Sequence, residues 1–290
     1  MGYMGNKREK LKILVIVAHP HDFTHCSGTC GVHTRLGDEV TVVTLMSGAQ
    51  MHNEKYHDEL MKPEKDRDPA IINFPVKEYE KKKEQEFKDA VALFGVTDIR
   101  ILHAPEPFRL YKAPEYGEEL GKIILDVRPD ILITQSPYYD GNLRGRNGMA
   151  NGMMDDHSQT SFAVHEGLRY AAISNYETKA APHNVVLVLY MGIYFNRDQV
   201  DFYIDVTDWL EQRVKSEAAF TTQGHTYEFA RRRIETVVGG SGFWSKTPYS
   251  EGFVRATYEV FDSIPISETS IKRAREGSSK MIQRIEGKKT

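Results

Sequence analysis

Short apolar runs alternate with amphipathic segments along the first half of the chain. The run at 11–17 is almost continuously apolar or β-branched, and a second run lies at 39–46. Uninterrupted runs of this kind are typical of strands buried on both faces of a parallel sheet. The segment between them, 24–36, has the length of a short crossover helix, so the pattern predicts a βαβ unit.

The same alternation continues through most of the sequence. It predicts further strands at 98–103, 130–134, 185–190 and 202–206, and helices at 78–94, 115–127 and 207–221. This order indicates an α/β fold with a doubly wound, mostly parallel sheet and helices on both faces. From about residue 225 the pattern is mixed and rich in glycine, and we interpret it as an extension of a single domain spanning 1–290.

Composition narrows the choice of partners and compartment. The 290 residues are 40% hydrophobic with a net charge of −3, which gives no reason to expect nucleic acid or an anionic membrane as partner. No stretch approaches the roughly 20 apolar residues of a membrane span, and the N-terminal residues lack the apolar run of a signal peptide. With only Cys26 and Cys30 as thiols, we expect a cytoplasmic protein without structural disulfides. The sequence is compatible with a monomer and with a homo-oligomer.

Candidate chemistry begins where the first predicted strand ends, in Ala18-His-Pro-His-Asp22. Ligands of open α/β sheets bind at the carboxyl edge of the strands. Imidazole and carboxylate are zinc ligands, and a catalytic zinc ion needs three protein ligands and an open position. Two histidines and an aspartate at this edge therefore predict a metal site.

A long connection rich in glycine, asparagine and tyrosine follows the fourth predicted strand. Loops of this length are often functional, and we expect Tyr138 and Arg144 within it to contact a substrate. It ends in Met154-Asp-Asp-His157, where an amphipathic helix begins. His157 is thus predicted at the same edge as His19, and we expect one of the two aspartates to cap the helix.

These motifs resemble those of the PIG-L or LmbE-like zinc deacetylases. That family has Ala-His-Pro-Asp-Asp after its first strand and His-Pro-Asp-His after its fourth. Weaker similarities occur in the same order at 37–45, 83–96, 205–218 and 251–255. The resemblance implies a Rossmann-like fold, removal of acyl groups from N-acylated glucosamine units, and one zinc ion bound by His19, Asp22 and His157.

The chain departs from the family motifs at the acid–base positions. The family's catalytic aspartate is replaced by His21, and the first histidine of its second motif is replaced by Met154. A neutral imidazole can accept a proton near neutral pH, so we predict His21 as the general base, with Asp155 and Asp156 as rivals and Asp156 as a second catalytic group. His25 is expected to line the pocket or supply a proton. Lys83 stands where the family has an arginine near the substrate, and we interpret it as a solvated lysine.

Three functions are compatible with these residues. The first is a metal-dependent hydrolase that removes an acyl group, most simply acetyl, from an N-acylated amino sugar or similar amide. The second is a metal- and carbohydrate-binding protein that has lost the acid–base pair, and the third is an enzyme with different chemistry at the same metal. A base within reach of the metal would favour the first over the second.

Overall fold

A seven-stranded sheet forms the centre of the molecule. The structure is a computed structural model that describes residues 9–137, 155–173 and 179–288. Its strands are β1 (Lys12–Val17), β2 (Glu39–Thr44), β3 (Asp98–Ile101), β4 (Ile131–Thr134), β5 (Leu187–Met191), β6 (Phe202–Asp205) and β7 (Ser250–Arg255). They are arranged in the order β3-β2-β1-β4-β5-β7-β6. The first five strands are parallel, and β7 runs antiparallel between β5 and β6.

Helices lie on both sides of the sheet, as the sequence predicted. In the described residues they are α1 (Ser27–Arg35), α2 (Glu54–Met61), α3 (Pro69–Ile72), α4 (Val76–Ala92), α5 (Ala113–Val127), α6 (Asp156–Ala172), α7 (Leu210–Ala218), α8 (Tyr227–Ser245), α9 (Glu268–Ala274) and α10 (Ser278–Ile285). None of them combines the length and the apolar character that a membrane crossing requires.

The central strand β1 is buried on both faces. Val15 packs with Phe87 of α4 in one apolar cluster, and its neighbour Ile16 packs with Leu120 of α5 in the other. Successive side chains of a strand point to opposite faces, which explains why the run at 11–17 has no polar alternation. Because β1 lies between β2 and β4, its carboxyl end opens at the point where the strand order reverses.

Glycines bring α5 and α6 into close contact, and this contact positions the helix that begins at Asp156. An ideal Cβ on Gly121 would lie 2.4 Å from Cδ1 of Tyr170, and one on Gly117 would lie 2.5 Å from Cβ of Glu166. Atoms do not approach so closely, so these two positions require glycine at the present helix separation.

We therefore expect Gly121→Ala to destabilise the fold by about 1–3 kcal/mol through overpacking. The matched control is Gly240→Ala in α8, where an added Cβ would meet no heavy atom within 4 Å. That control should stabilise the protein by up to about 1 kcal/mol, since alanine is the better helix former. Denaturant unfolding of both variants gives the comparison, and equal stability changes would contradict the packing argument.

The chain beyond residue 225 is more regular than its composition indicates. The glycines at 239–242 lie inside the 19-residue helix α8, where the sequence had predicted only a mixed segment. Gly242 is needed there because an ideal Cβ would lie 2.3 Å from the carbonyl oxygen of Pro248. The chain then turns and inserts β7 between two strands that precede it in sequence.

Candidate metal centre

The first strand ends in a tight turn that brings two polar side chains together. Pro20–His25 forms a 3-10 helix with His19 at its N-terminus. The His19 amide donates to Oδ2 of Asp22 at 2.8 Å, and the Ala18 amide donates to Oε1 of Gln135, just beyond β4, at 2.8 Å. The turn and the neighbouring strand therefore hold His19 and Asp22 at the carboxyl edge of the sheet.

His157 completes a set of three candidate ligands. One ligand atom from each of His19, Asp22 and His157 lies within 4.8 Å of the other two. Nε2 of His157 lies 3.4 Å from Oδ1 of Asp22, and Nδ1 of His19 lies 3.5 Å from Oδ2. Ligands that share one zinc ion at about 2.0–2.2 Å are themselves separated by about 3–4 Å, so the spacing fits a single ion.

Unpaired buried atoms support the same fit. His19 is 1% exposed and Asp22 is fully buried, yet Nδ1 of His19 and Oδ1 of Asp22 make no hydrogen bond among the described residues. A buried polar atom without a partner costs about 1–3 kcal/mol. A divalent cation among these atoms would remove that cost, so the donor set fits a metal.

A second carboxylate faces the outer nitrogen of each ligand imidazole. Oδ2 of Asp155 lies 3.0 Å from Nδ1 of His157, and Oδ2 of Asp156 lies 3.3 Å from Nε2 of His19. Such partners orient ligand histidines and fix their tautomers. Asp155 also caps α6 by accepting from the Ser158 amide at 3.0 Å, which confirms the expected cap.

The carboxylates set the charge of the pocket. Burial alone would lower the pKa of His157, but Asp22 and Asp155 outweigh it and raise that pKa to about 10. Burial would raise the pKa of Asp22, whereas the charge of His157 holds it well below its usual range. Without metal, the site therefore keeps a proton on His157 at neutral pH.

Metal binding is consequently expected to release a proton. Below pH 10 the ion competes with the proton of His157, so metal affinity should rise with pH, by about tenfold per unit for one proton. Calorimetric titration with zinc in two buffers of different ionisation enthalpy, both at pH 7.5, measures the number released. Binding heats that do not depend on the buffer would contradict this charge assignment.

His21 lies directly beside the ligand set. Its Nε2 is 3.4 Å from Oδ1 of Asp22, and its side chain is 14% exposed. Burial lowers the pKa of His21 well below 6.5, against the opposing effect of Asp22. The structure thus places the His21 imidazole next to the three candidate ligand residues, and its lowered pKa favours the neutral form, which can accept a proton.

His25 lies one side chain further from the ligands. Its ring centroid is 6.5 Å from that of His21, Nδ1 is 3.4 Å from the hydroxyl of Tyr194, and Nε2 is 3.2 Å from Nη2 of Arg233. Burial and the charge of Arg233 lower the pKa of His25 to about 3. Because a guanidinium only donates, Nε2 of His25 must accept, so the ring proton belongs on Nδ1.

One histidine near this edge, His52, was not anticipated from the sequence. The ring of His52 lies 4.5 Å from that of His19 and 4.7 Å from that of His21, between centroids. It follows β2, whose carboxyl end is at the same edge, so the rule that identified His19 also applies to it. Tyr138 and Arg144, the predicted substrate contacts, lie outside the described residues.

The prediction that Lys83 is solvated was wrong. Lys83 is 2% exposed, and its Nζ lies 5.3 Å from the ring centroid of Tyr79. Burial lowers its pKa to about 8, against the opposing charge of Glu54. Lys83 lies four residues from both Tyr79 and Phe87, which places it on the buried face of α4. Because its neighbours in the sequence are charged, this buried position is hard to recognise from the sequence.

Solved structures share this architecture. GalB, the 4-carboxy-2-hydroxymuconate hydratase from Pseudomonas putida, aligns with a TM-score of 0.66 at 16% identity, covering 88% of this chain and 100% of its own. The N,N'-diacetylchitobiose deacetylase from Pyrococcus horikoshii also aligns at 0.66, with 19% identity and 88% of each chain covered. The conserved protein TT1542 from Thermus thermophilus reaches 0.61 at 17% identity, covering 89% of this chain and 99% of its own. At these identities the likeness is one of fold.

A sequence model identifies the family of this chain, which the structural similarities alone do not. No curated protein matches the chain significantly. The model of the PIG-L family, described as GlcNAc-PI de-N-acetylase, matches residues 14–167. This match runs from β1 into α6 and includes His19, Asp22 and His157, and on that basis the chain belongs to the PIG-L family.

Proposed function

We propose that the protein is a metal-dependent hydrolase that removes an acyl group, most simply acetyl, from an N-acylated amino sugar or a similar amide. The observation that carries this proposal is the imidazole of His21, with Nε2 3.4 Å from Oδ1 of Asp22, beside three clustered candidate ligand residues in a chain of the PIG-L family. A base in this position favours an enzyme over a protein that only binds metal and carbohydrate.

The ligand set is suited to zinc, with two imidazoles and one carboxylate. An ion bound there would polarise the amide carbonyl and increase the acidity of water. His19, Asp22 and His157 would hold it, and Asp155 and Asp156 would orient the two imidazoles.

His21 is the group to which we assign the proton transfer. Its buried, neutral ring would accept a proton from the attacking water and return it to the departing nitrogen. The amide C–N bond then breaks to give a carboxylic acid and a free amine. Asp155 and Asp156 are less suited to this task, because each carboxylate faces a ligand imidazole.

An N-acetylated sugar is the favoured substrate class. The family model is described by its action on N-acetylglucosaminyl-phosphatidylinositol, and one structure of the same fold is a deacetylase of N,N'-diacetylchitobiose. Both names point to an acetamido group on glucosamine.

Hydration of an activated carbon–carbon double bond is the second candidate. Two observations favour keeping it: His21 replaces the aspartate expected from the family motif, and the hydratase GalB aligns as well as the chitobiose deacetylase. Both deacylation and hydration need an activated water and a base, so the candidate ligands alone do not distinguish the two reactions.

One pair of assays separates these candidates. Metal-loaded protein is incubated with N-acetylglucosamine, N,N'-diacetylchitobiose and small acetamides, and free amine is measured. The same preparation is tested for hydration of 4-carboxy-2-hydroxymuconate. We expect amine release from an acetamido sugar; hydration without amine release would replace the first candidate by the second, and inactivity in both assays would leave the binding-protein alternative.

A further inference from the structure

His52 occupies a place that packing alone does not explain. Its ring meets His19 and His21 nearly edge-on, with interplanar angles of 84° and 75°, and its side chain is 23% exposed. Nδ1 of His52 lies 3.6 Å from Oε1 of Glu54. The partly exposed ring of His52 thus lies against one candidate ligand, His19, and against the candidate base, His21.

A single carboxylate holds the loop that presents His52. This loop, residues 47–51, connects β2 to the start of α2. Oε1 of Glu106 accepts from the Ser47 hydroxyl at 2.9 Å, the Gly48 amide at 2.5 Å and the Ala49 amide at 3.1 Å, and Oε2 accepts from the amides of Gln50 at 2.7 Å and Met51 at 2.9 Å.

These contacts make Glu106 a fixed anion at neutral pH. Burial would raise its pKa, but hydrogen bonds from the backbone of Met51 and Gln50 outweigh burial and lower it. Hydrogen bonds to an ionised acceptor are stronger than those between neutral groups. One further bond secures the end of the loop, since the His52 amide donates to the Gly48 carbonyl at 3.0 Å. The Tyr79 hydroxyl shares its single proton between the carbonyls of Thr222 at 2.8 Å and His52 at 3.1 Å.

We propose that His52 contacts the substrate by a hydrogen bond from its ring, and that Glu106 is the positioning residue that places it through the 47–51 loop. The inference rests on the proposed function only in that a substrate reaches the site between the ligand residues and His21. It does not depend on the charge of His52, because a neutral imidazole carries one donor and one acceptor nitrogen in either tautomer.

The test is a double-mutant cycle on metal-loaded protein. His52→Ala should keep its metal and lower kcat/KM by about 10-fold or more, the value of a lost substrate hydrogen bond. His52→Gln should recover part of this loss, since its amide can hydrogen-bond without titrating. Glu106→Gln should lower kcat/KM by a similar factor, and the double variant His52→Ala with Glu106→Gln should be no worse than His52→Ala alone.

His57→Ala is the matched control, because this exposed histidine lies five residues further along on α2. It should behave as the native protein. Losses that add in the double variant, a native rate for His52→Ala, or no recovery in His52→Gln would each overturn the proposal.

Two measurements keep this test independent of the proposed reaction. Hydrogen exchange of the amides at 48–51 should accelerate at least about 10-fold in Glu106→Gln and stay unchanged in His52→Ala. Calorimetric binding of acetohydroxamate to zinc-loaded protein should weaken about 10-fold in His52→Ala and recover in His52→Gln. If the protein hydrolyses no amide yet shows both effects, the proposed function is refuted and the roles of His52 and Glu106 stand. Unchanged exchange together with unchanged binding would refute only the roles of His52 and Glu106.

Discussion

Replacing His157 with alanine is expected to remove the metal while leaving the fold intact. The variant takes away one of three ligands and leaves Asp155 without the imidazole that it faces at 3.0 Å. Loss of an outer partner of a ligand already costs about 10- to 100-fold in metal affinity, so loss of the ligand itself should exceed about 100-fold. Elemental analysis after dialysis should give about one equivalent of metal for the native protein and almost none for His157→Ala.

The matched control for this variant is His165→Ala on the same helix. His165 lies two turns beyond His157 and bonds the hydroxyl of Tyr190 at 2.7 Å, away from the three ligand residues. It should retain a full equivalent of metal, and circular dichroism should show that both variants stay folded. Full occupancy in folded His157→Ala would disprove the ligand assignment.

The second large effect is expected at His21. If this imidazole transfers the proton, His21→Ala should retain its metal and lose about 10²- to 10⁴-fold in kcat, the range typical of acid–base catalysis. Because burial lowers the pKa of His21 well below 6.5, the residue should already be neutral at pH 7. Any rise in rate above pH 7 then belongs to another group, such as the water that is attacked.

His21→Asp provides the matched comparison, since it restores the residue that the family motif contains. A carboxylate at this position can accept the same proton, so we expect partial activity, between that of His21→Ala and the native protein. Near-native turnover in a metal-loaded His21→Ala protein would place the base elsewhere, and the role would then pass to Asp155 or Asp156.

The parallel strands of the sheet could be predicted because each of them is an apolar run that is visible in its own stretch of sequence. Runs such as 11–17 are apolar without alternation, and that pattern follows directly from burial on both faces. His19, Asp22 and His157 were predicted to meet because the carboxyl ends of parallel strands share one edge. The observed spacing of their ligand atoms, within 4.8 Å, agrees with that expectation.

Features that depend on distant contacts were not predictable in the same way. The glycines at 239–242 are poor helix formers, and the need for glycine at 242 becomes visible only in the close approach of the Pro248 carbonyl. The insertion of β7 between β5 and β6 has no local signature. His52 depends on Glu106, 54 positions later, to fix its loop, and Lys83 is buried by packing that its charged sequence neighbours do not indicate.

The proposed function depends most directly on one ion held by His19, Asp22 and His157. Crystals of zinc-loaded protein, with diffraction recorded just above and just below the zinc absorption edge, would locate that ion. We predict one strong anomalous peak that vanishes below the edge, about 2.0–2.2 Å from an imidazole nitrogen of His19 and of His157 and from a carboxylate oxygen of Asp22. A zinc peak away from these residues, or none in protein shown to contain zinc, would contradict the account.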